Sequence, residues 1–290
     1  MTLHLKTQQL DRPYRNTLVR RWFGSPHVDA SLVAALAVIT IVVLWIVVPG
    51  LFSSFDPLVG KPGEAFVPPG PEHWFGTDRI GRDLYSRVVH GTRLTIYGAF
   101  IAVVIGLIVG SVLGVTAALA RGAVESTIMR VVDVLLAVPG FLLALIVVTA
   151  LGPGTVQIAF GVGIAAIAPF ARLIRSEALR VTELQYVQAA RISGTRGPAV
   201  LFRHVLPNSI GPVLALVAVE LGSTVLSIAA LGFLGYGAPP PTPEWGTLIA
   251  EGRSFLANAW WLTTLPGVVV VVVVLAFARI SHWIQALYRI

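Results

Sequence analysis

The chain has 290 residues, of which 56% are hydrophobic and 12% are charged, and its formal net charge is +7. Soluble domains usually carry about 25% charged residues, so this composition excludes an ordinary soluble protein and indicates a chain that lies in a bilayer. The Lys and Arg residues fall in short segments between apolar runs, which argues against nucleic-acid binding. The sequence has no cysteine, which excludes disulfides and thiolate metal sites.

The first half of the chain predicts two transmembrane helices, because a bilayer core of about 30 Å needs roughly 20 helical residues. The first span covers residues 30–55, and the basic tail before it, residues 1–29, is expected in the cytoplasm. A loop rich in Pro and Gly, residues 53–90, is predicted to be extracytoplasmic. The second span covers residues 94–120, where Gly or Ala recurs at every fourth position and predicts close helix packing. Residues 121–130 are predicted to form a short cytoplasmic loop.

Residues 133–172 are predicted to contain two further spans, joined by an outer turn at Gly152-Pro153-Gly154 and kinked at Pro139 and Pro169. The fifth predicted span, residues 208–234, has Glu220 near its middle. A carboxylate at that depth is costly and normally faces a cavity or a partner. An outer segment, residues 238–262, ends in two Trp residues suited to the membrane boundary. The last span follows at residues 263–281.

A polar, basic stretch from residue 186 to residue 208 separates these apolar regions. Thr182 and Gln185 have the spacing of a capping box, which predicts the start of a helix. Gly194 is placed to end that helix at a positive φ, and Pro198 suits the first turn of a second helix. A longer apolar helix is predicted to begin at Pro207. The stretch therefore predicts a helix–turn–helix on the membrane surface.

This stretch resembles the EAA loop in permease subunits of ABC importers. The similarity lies in Gln188-Ala189-Ala190, Gly194 and Leu206-Pro207, although Gln188 stands where that family usually has an acidic residue. In that family the loop is cytoplasmic and docks into a groove on the ATP-hydrolysing subunit. The resemblance implies a set of residues that couple this chain to an ATPase: Tyr186, Gln188, Ala189, Ala190, Arg191, Gly194, His204, Leu206 and Pro207.

Two further motifs resemble the second permease subunit of dipeptide, oligopeptide and nickel importers. Residues 73–95 are similar to its FGTDxxGRDxxSRxxxGxRxS segment, and residues 231–246 to its LSFLGxG…PPTPxWG signature. Ile228 is a departure, because many peptide-importing members carry Glu there. Asp78 and Asp83 are expected to cap helices, and a metal site with His73 is the alternative that we weighed for them.

The resemblance implies an all-α polytopic membrane protein with six transmembrane helices, the type I ABC importer permease fold and both termini in the cytoplasm. Residues 30–93 would hold the first span and its loop. Residues 94–290 would form the core permease domain, with a cytoplasmic coupling loop at residues 172–207. The implied location is the cytoplasmic membrane of a prokaryote.

The implied function is translocation of peptides by alternating access, with nickel or a metal chelate as the alternative substrate. A less favoured alternative is a proton-driven secondary transporter that uses Glu220, our candidate pathway residue. The sequence has no phosphate-binding GxxxxGK[ST] loop and no evident catalytic set. We therefore expect no enzyme activity, cofactor or metal in this chain. The resemblance implies ATP and Mg²⁺ on partner ATPase subunits, a homologous second permease and an extracytoplasmic binding protein, with no nucleic-acid partner.

Overall fold

The computed structural model describes residues 29–120, 122–195 and 197–288, and this part of the chain is almost entirely helical. The helices are α1 (Ala30–Val47), α2 (Leu84–Ala120), α3 (Gly122–Ala137), α4 (Gly140–Leu151), α5 (Thr155–Thr182), α6 (Gln185–Ile192), α7 (Gly197–Val200), α8 (Leu206–Leu231), α9 (Trp245–Gly252) and α10 (Trp261–Tyr288). The predicted basic tail, apart from Asp29, lies outside the described residues, as does the Arg191 side chain.

Within the described residues, five helical segments are long and apolar enough to cross a membrane. Four of them are α1, α2, α5 and α10, and the fifth runs from Leu201 to Tyr236 and contains α8. The pair α3 and α4 passes the same test only when the two helices are taken together, and they are bent by 89° at the break between them. The predicted multi-span helical fold is confirmed, with five such spans among the described residues and a sixth if α3 and α4 cross as one. The break between them falls at Pro139, where a kink was predicted.

Two predicted boundaries were wrong for the same reason. The second span begins at Leu84 and not at residue 94, and residues 122–130 are the first turns of α3 and not a loop. Both segments contain charged residues, which lower the hydropathy and concealed the helices. One charge in each segment is paired in the structure: Arg87 binds Asp78 at 3.0 Å, and Glu125 binds Arg175.

The small-residue stripe of α2 packs closely against α5, as its spacing predicted. A Cβ atom added at Gly106 would lie 2.6 Å from the Ala166 Cβ, and one at Gly110 would lie 2.6 Å from the Phe170 Cβ. Such distances are too short for any side chain, so the two backbones touch along this line. The pair forms the frame against which α4 and α8 pack, around a core that includes Ile158, Val225 and Ile228.

The bundle has two distinguishable ends. We name these ends after the predicted orientation: the inner end carries the helix–turn–helix of α6 and α7, and the outer end carries the long segments before α2 and around α9. The turn between α4 and α5 is formed as predicted, with Gly152 and Gly154 at positive φ values of 91° and 141°. This turn lies at the outer end, because the Gly154 N–H donates to the Tyr236 carbonyl.

Candidate functional site

The segment from Gln185 to Val205 forms the predicted helix–turn–helix at the inner end. Helix α6 ends as expected at Gly194, which has φ +90°, and the Thr195 N–H donates to the Ala190 carbonyl at 3.0 Å. This bond closes the helix end in a Schellman arrangement. The predicted capping box at Thr182 is wrong, because the Thr182 hydroxyl donates to the Leu179 carbonyl in the last turn of α5.

The predicted coupling loop at residues 172–207 is therefore shorter, since residues 172–182 continue α5. The arginines in those last turns are held by acidic side chains. Arg172 binds Asp133 at 2.6 Å, and Arg180 binds Glu177 at 2.6 Å. The helix–turn–helix itself begins at Gln185.

A small apolar core holds α6 against the ends of α2 and α5. Val187 is fully buried and packs in a cluster with Ala178 and Val181 of α5 and with Ala118 of α2. Val200 and Val205 belong to the same cluster, so α7 and the π-helical turn after it are fixed together with α6. Movement of α6 would therefore be transmitted directly to two spans.

The opposite side of α6 is exposed, and we call it the docking surface. It consists of Gln188, Ala189, Ile192, Ser193 and Gly194. Ile192 is 88% exposed, the highest value among the exposed large apolar side chains of the described residues. Ala189 and Gly194 add almost no side-chain bulk beside it, and a Cβ on Gly194 would meet nothing within 4 Å. A projecting apolar side chain among small residues suits insertion into a partner's groove.

The remaining predicted coupling residues lie beside this surface. Tyr186 and His204 contact each other edge to face, with 5.6 Å between ring centroids. The Asn208 amide donates to the Tyr186 hydroxyl at 3.0 Å and to the His204 carbonyl at 2.6 Å. These contacts join α6 to the start of α8 and position the docking surface. Leu206 and Pro207 are exposed in the first turn of α8, whereas Ala190 is half-buried.

Gln188 does something that the usual acidic residue could not do. Its amide donates to the Glu183 carbonyl at 3.2 Å, five residues before it. An ionised carboxylate has no proton to donate, so Gln188 stabilises the start of α6 without adding charge. Ile192, Val187 and Asn208 were missed as functional residues in the sequence. The sequence did contain a signal for Ile192: it is an apolar residue four positions after Gln188, and therefore on the same face of the helix.

Along the sequence of α8, Glu220 lies between the residues that line two cavities, and it is not among the lining residues of either. The inner cavity, about 510 Å³, is lined by residues of α8 that include Pro212 and Val219. The outer cavity, about 690 Å³, is lined by Leu226 of α8 and by Phe233 in the π-helical turn that follows it, among other residues. At helical spacing these residues share one face of α8, on which Ser223 falls between the two cavities.

We call the part of α8 between the two sets of lining residues the waist, and it is polar. The exposed Ser223 hydroxyl donates to the Glu220 carboxylate at 3.2 Å, and the Ser227 hydroxyl donates to the Ser223 carbonyl. Glu220 is partly exposed within this chain, and Ser223 is exposed. A polar strip at mid-membrane is costly against lipid, so this face of α8 is suited to a partner helix or a water-filled path.

The FGTD-type motif builds the outer end and does not reach either cavity. Asp78 binds Arg82 at 2.6 Å and Arg87 at 3.0 Å, and Arg87 also binds Glu251 of α9 at 2.7 Å. Asp83 caps α2, as predicted, by accepting from the Ser86 N–H at 2.7 Å. Both carboxylates are thus engaged, and the described residues contain no group of three or more ligand side chains placed for a metal ion.

Trp261, predicted to lie at the membrane boundary, is buried within the chain at the outer end, where its indole donates to the Thr77 carbonyl. Glu244 of the second motif is also fully buried there. It accepts from the Ala238 N–H at 2.9 Å and from the Thr155 hydroxyl at 3.4 Å, and its second oxygen has no hydrogen-bond partner among the described residues. Burial raises the pKa of Glu244 to about 7, although both hydrogen bonds act in the opposite direction.

Glu244 should make the stability of the chain fall as the pH rises. Its carboxyl takes up protons more readily in the folded chain than in the unfolded chain, so its protonation supports folding fully below pH 4.5. That support is lost as the pH rises toward 7. A shift of this size corresponds to a few kcal/mol, on the order of 3. Thermal unfolding in detergent between pH 5 and 8 should show the decline for the parent chain and a flatter profile for Glu244→Gln; equal slopes would contradict this assignment.

Spans packed backbone to backbone, a helix–turn–helix at one end and two cavities along one face of α8 form an arrangement that suits a membrane transport subunit. The fold comparison agrees. An inward-facing structure of the MetNI methionine ABC transporter superposes with a TM-score of 0.54 at 17% identity, covering 68% of this chain and 96% of that one. This likeness confirms the permease fold.

Sequence comparison identifies the family. Residues 102–289 match the family described as binding-protein-dependent transport system inner membrane component, and the chain belongs to it. The dipeptide transport system permease protein DppC of Alkalihalophilus pseudofirmus is 36% identical over 253 residues, covering 87% of this chain and 83% of the relative. The glutathione transport system permease protein GsiD of Pectobacterium atrosepticum is 38% identical over 209 residues, covering 72% and 69%.

Proposed function

We propose that this chain is a permease subunit of an ATP-driven importer that moves small peptides across the cytoplasmic membrane. The observation that carries the proposal is the docking surface, which presents Ile192 among small residues on a helix fixed to two spans. Family membership supports the transport role. The relatives named for dipeptide and glutathione transport favour a peptide over nickel or a metal chelate as substrate.

The proposed mechanism needs partners that this chain does not supply. An ATPase subunit that binds ATP and Mg²⁺ would seat the docking surface in its groove, and an extracytoplasmic binding protein would deliver the peptide. A second, homologous permease would cover the polar waist of α8. Closure of the ATPases would move α6, and the buried Val187 cluster would carry that movement into α2 and α5.

Affinity purification of the tagged chain from its native membrane tests the assembly. We expect an ATP-binding subunit and a second multi-span permease to accompany the chain in defined proportions. Recovery of the chain alone from gently solubilised membranes, with its spans intact, would contradict the proposal. It would favour a transporter that works without an ATPase.

We also propose that both termini and residues 183–205 face the cytoplasm, from the distribution of Lys and Arg. Because the chain has no cysteine, single cysteines can be introduced at Ser193 and at exposed Ser54. An impermeant thiol reagent added to intact cells with a permeable outer envelope should label the second site and spare the first. If only Ser193→Cys is labelled, the chain has the opposite orientation in the membrane.

Glu220 is proposed to line the pathway or to pair across it with the second permease. A peptide carries a cationic amino terminus, which a carboxylate at the waist between the two cavities could attract as it passes. Glu220→Gln keeps the shape and much of the hydrogen bonding while removing the charge, so uptake should fall at least tenfold while assembly stays normal.

Glu220→Leu separates this role from a structural one. If Glu220 only supports packing, Glu220→Gln should transport normally and Glu220→Leu should lower the yield of the assembled complex. Uptake of a labelled dipeptide and the yield of complex, measured for both variants, distinguish the two roles. Normal uptake and normal yield of complex in both variants would show that Glu220 has neither role.

A further inference from the structure

A third cavity lies at the outer end, away from α8. It has a volume of about 210 Å³ and is bordered by the chain just after α1, the loop before α2 and the first turn of α2. Aromatic rings and carboxylates dominate its lining: Phe52, Phe55, Trp74, Tyr85, Glu72 and Asp83. The Trp74 and Tyr85 rings are in contact, with 5.0 Å between centroids. We call this space the aromatic cavity.

The lining favours a positive charge. Neither Lys nor Arg is among the residues that border the cavity, whereas two carboxylates are. The Asp83 carboxylate is hydrogen-bonded to the His73 ring at 2.8 Å and accepts from the Ser86 N–H. Glu72 is exposed and has no hydrogen-bond or ion-pair partner among the described residues, so its charge is available.

Aromatic faces add to this preference, because ring quadrupoles attract cations that approach the face of the ring. One of the lining rings, Phe55, already makes such a contact, which leaves Phe52, Trp74 and Tyr85 as the rings that could contact a ligand. The Lys61 ammonium lies 4.9 Å from the centroid of the Phe55 ring, and Glu64 balances its charge at 3.6 Å. Aromatic cages with a nearby carboxylate are a recurrent way of binding organic ammonium groups.

The cavity lies where α1 leaves the membrane. Phe52 directly follows the short 3-10 turn Pro49–Leu51 that closes the first span. Leu51 is 82% exposed and Trp74 is 64% exposed, which suits insertion into the boundary between lipid and water. A ligand in this cavity would therefore sit at the depth of the lipid headgroups.

We propose that the aromatic cavity binds an organic ammonium group at the membrane boundary. Two sources offer this chemistry: the ethanolamine headgroup of a membrane lipid, and the amino terminus of a soluble peptide. The proposal goes beyond the transport role and does not depend on it, because the cavity shares no lining residue with the face of α8.

The lipid source is tested with the full chain in detergent, supplied with equal amounts of phosphatidylethanolamine and phosphatidylglycerol of the same acyl chains. Native mass spectrometry counts the lipids that stay bound. We expect the parent chain to prefer phosphatidylethanolamine, and Glu72→Gln and Trp74→Ala to lower that preference at least fivefold. Trp260→Ala is the matched control, because Trp260 is also exposed at the outer end but lies outside the cavity.

The peptide source is tested by thermal unfolding of the same variants with dialanine, using N-acetyl-dialanine, which lacks the ammonium, as the control. If dialanine stabilises the parent chain and N-acetyl-dialanine does not, the cavity binds the amino terminus of a soluble peptide. This stabilisation should be absent in Glu72→Gln and Trp74→Ala. A parent chain with no preference for phosphatidylethanolamine and no response to dialanine would overturn the proposal. Equal behaviour of Trp74→Ala, Glu72→Gln and the parent in both assays would do the same.

Discussion

Replacing Ile192 with Asp should abolish productive contact with the ATPase while leaving the permease folded. The side chain is 88% exposed, so the change removes no packing within the chain. In the complex, a central apolar anchor typically contributes about 2 kcal/mol or more, which corresponds to roughly thirtyfold in Kd. A buried, unpaired carboxylate in the groove would add a desolvation penalty. Co-purification of the ATPase and ATP-driven uptake should therefore be lost together.

Ile80→Asp is the matched control for this prediction. Ile80 is 49% exposed in the loop before α2, at the opposite end of the bundle, so the same chemical change should leave ATPase binding intact. Ile192→Leu should retain most of the binding because it keeps an apolar side chain of equal size. If Ile192→Asp binds the ATPase as tightly as the parent, the docking surface is wrongly assigned.

Arg87→Met should strongly destabilise the outer end. Arg87 is 1% exposed and binds both Asp78 and Glu251, which joins the loop, α2 and α9. Removing one partner of a buried ion pair leaves an uncompensated charge and typically costs 3–5 kcal/mol. Because Arg82 still binds Asp78, we expect a loss of about 3 kcal/mol, seen as a fall of roughly 5–10 °C in Tm.

Arg79→Met provides the comparison for Arg87→Met. Arg79 belongs to the same motif region but its side chain is exposed, so this change should alter the free energy of unfolding by no more than about 0.5 kcal/mol. Thermal unfolding of the three chains in one detergent measures both effects. Similar Tm values for Arg87→Met and the parent would show that the ion network does not support the outer end.

The features that the sequence predicted well depend on local spacing. Four-residue recurrence of Gly and Ala identified the face of α2 that touches α5, and Gly194 identified the end of α6. Long apolar runs located most of the spans. The docking helix was identified from residues that lie close together in the chain, so its exposed face could be predicted from the position of Ala189 and Gly194.

The features that the sequence concealed depend on contacts between distant residues. The first ten residues of α2 include charged side chains, and one of them, Arg87, has its partners in the preceding loop and in α9, so hydropathy alone placed the helix start too late. Thr182 has the spacing of a cap, but α5 continues to it and uses its hydroxyl. The burial of Glu244 follows from the close approach of Gly232 and Gly246 in the folded outer end, which no local pattern records.

The most direct test of the transport proposal is uptake of a labelled dipeptide by proteoliposomes that contain the purified complex and its binding protein. We expect accumulation that requires ATP and Mg²⁺ on the ATPase side, is lost in Ile192→Asp and is unaffected by dissipating a proton gradient. Uptake that follows a proton gradient without ATP would contradict it and favour a secondary transporter. ATP-dependent uptake of nickel but of no peptide would retain the importer and overturn its proposed substrate.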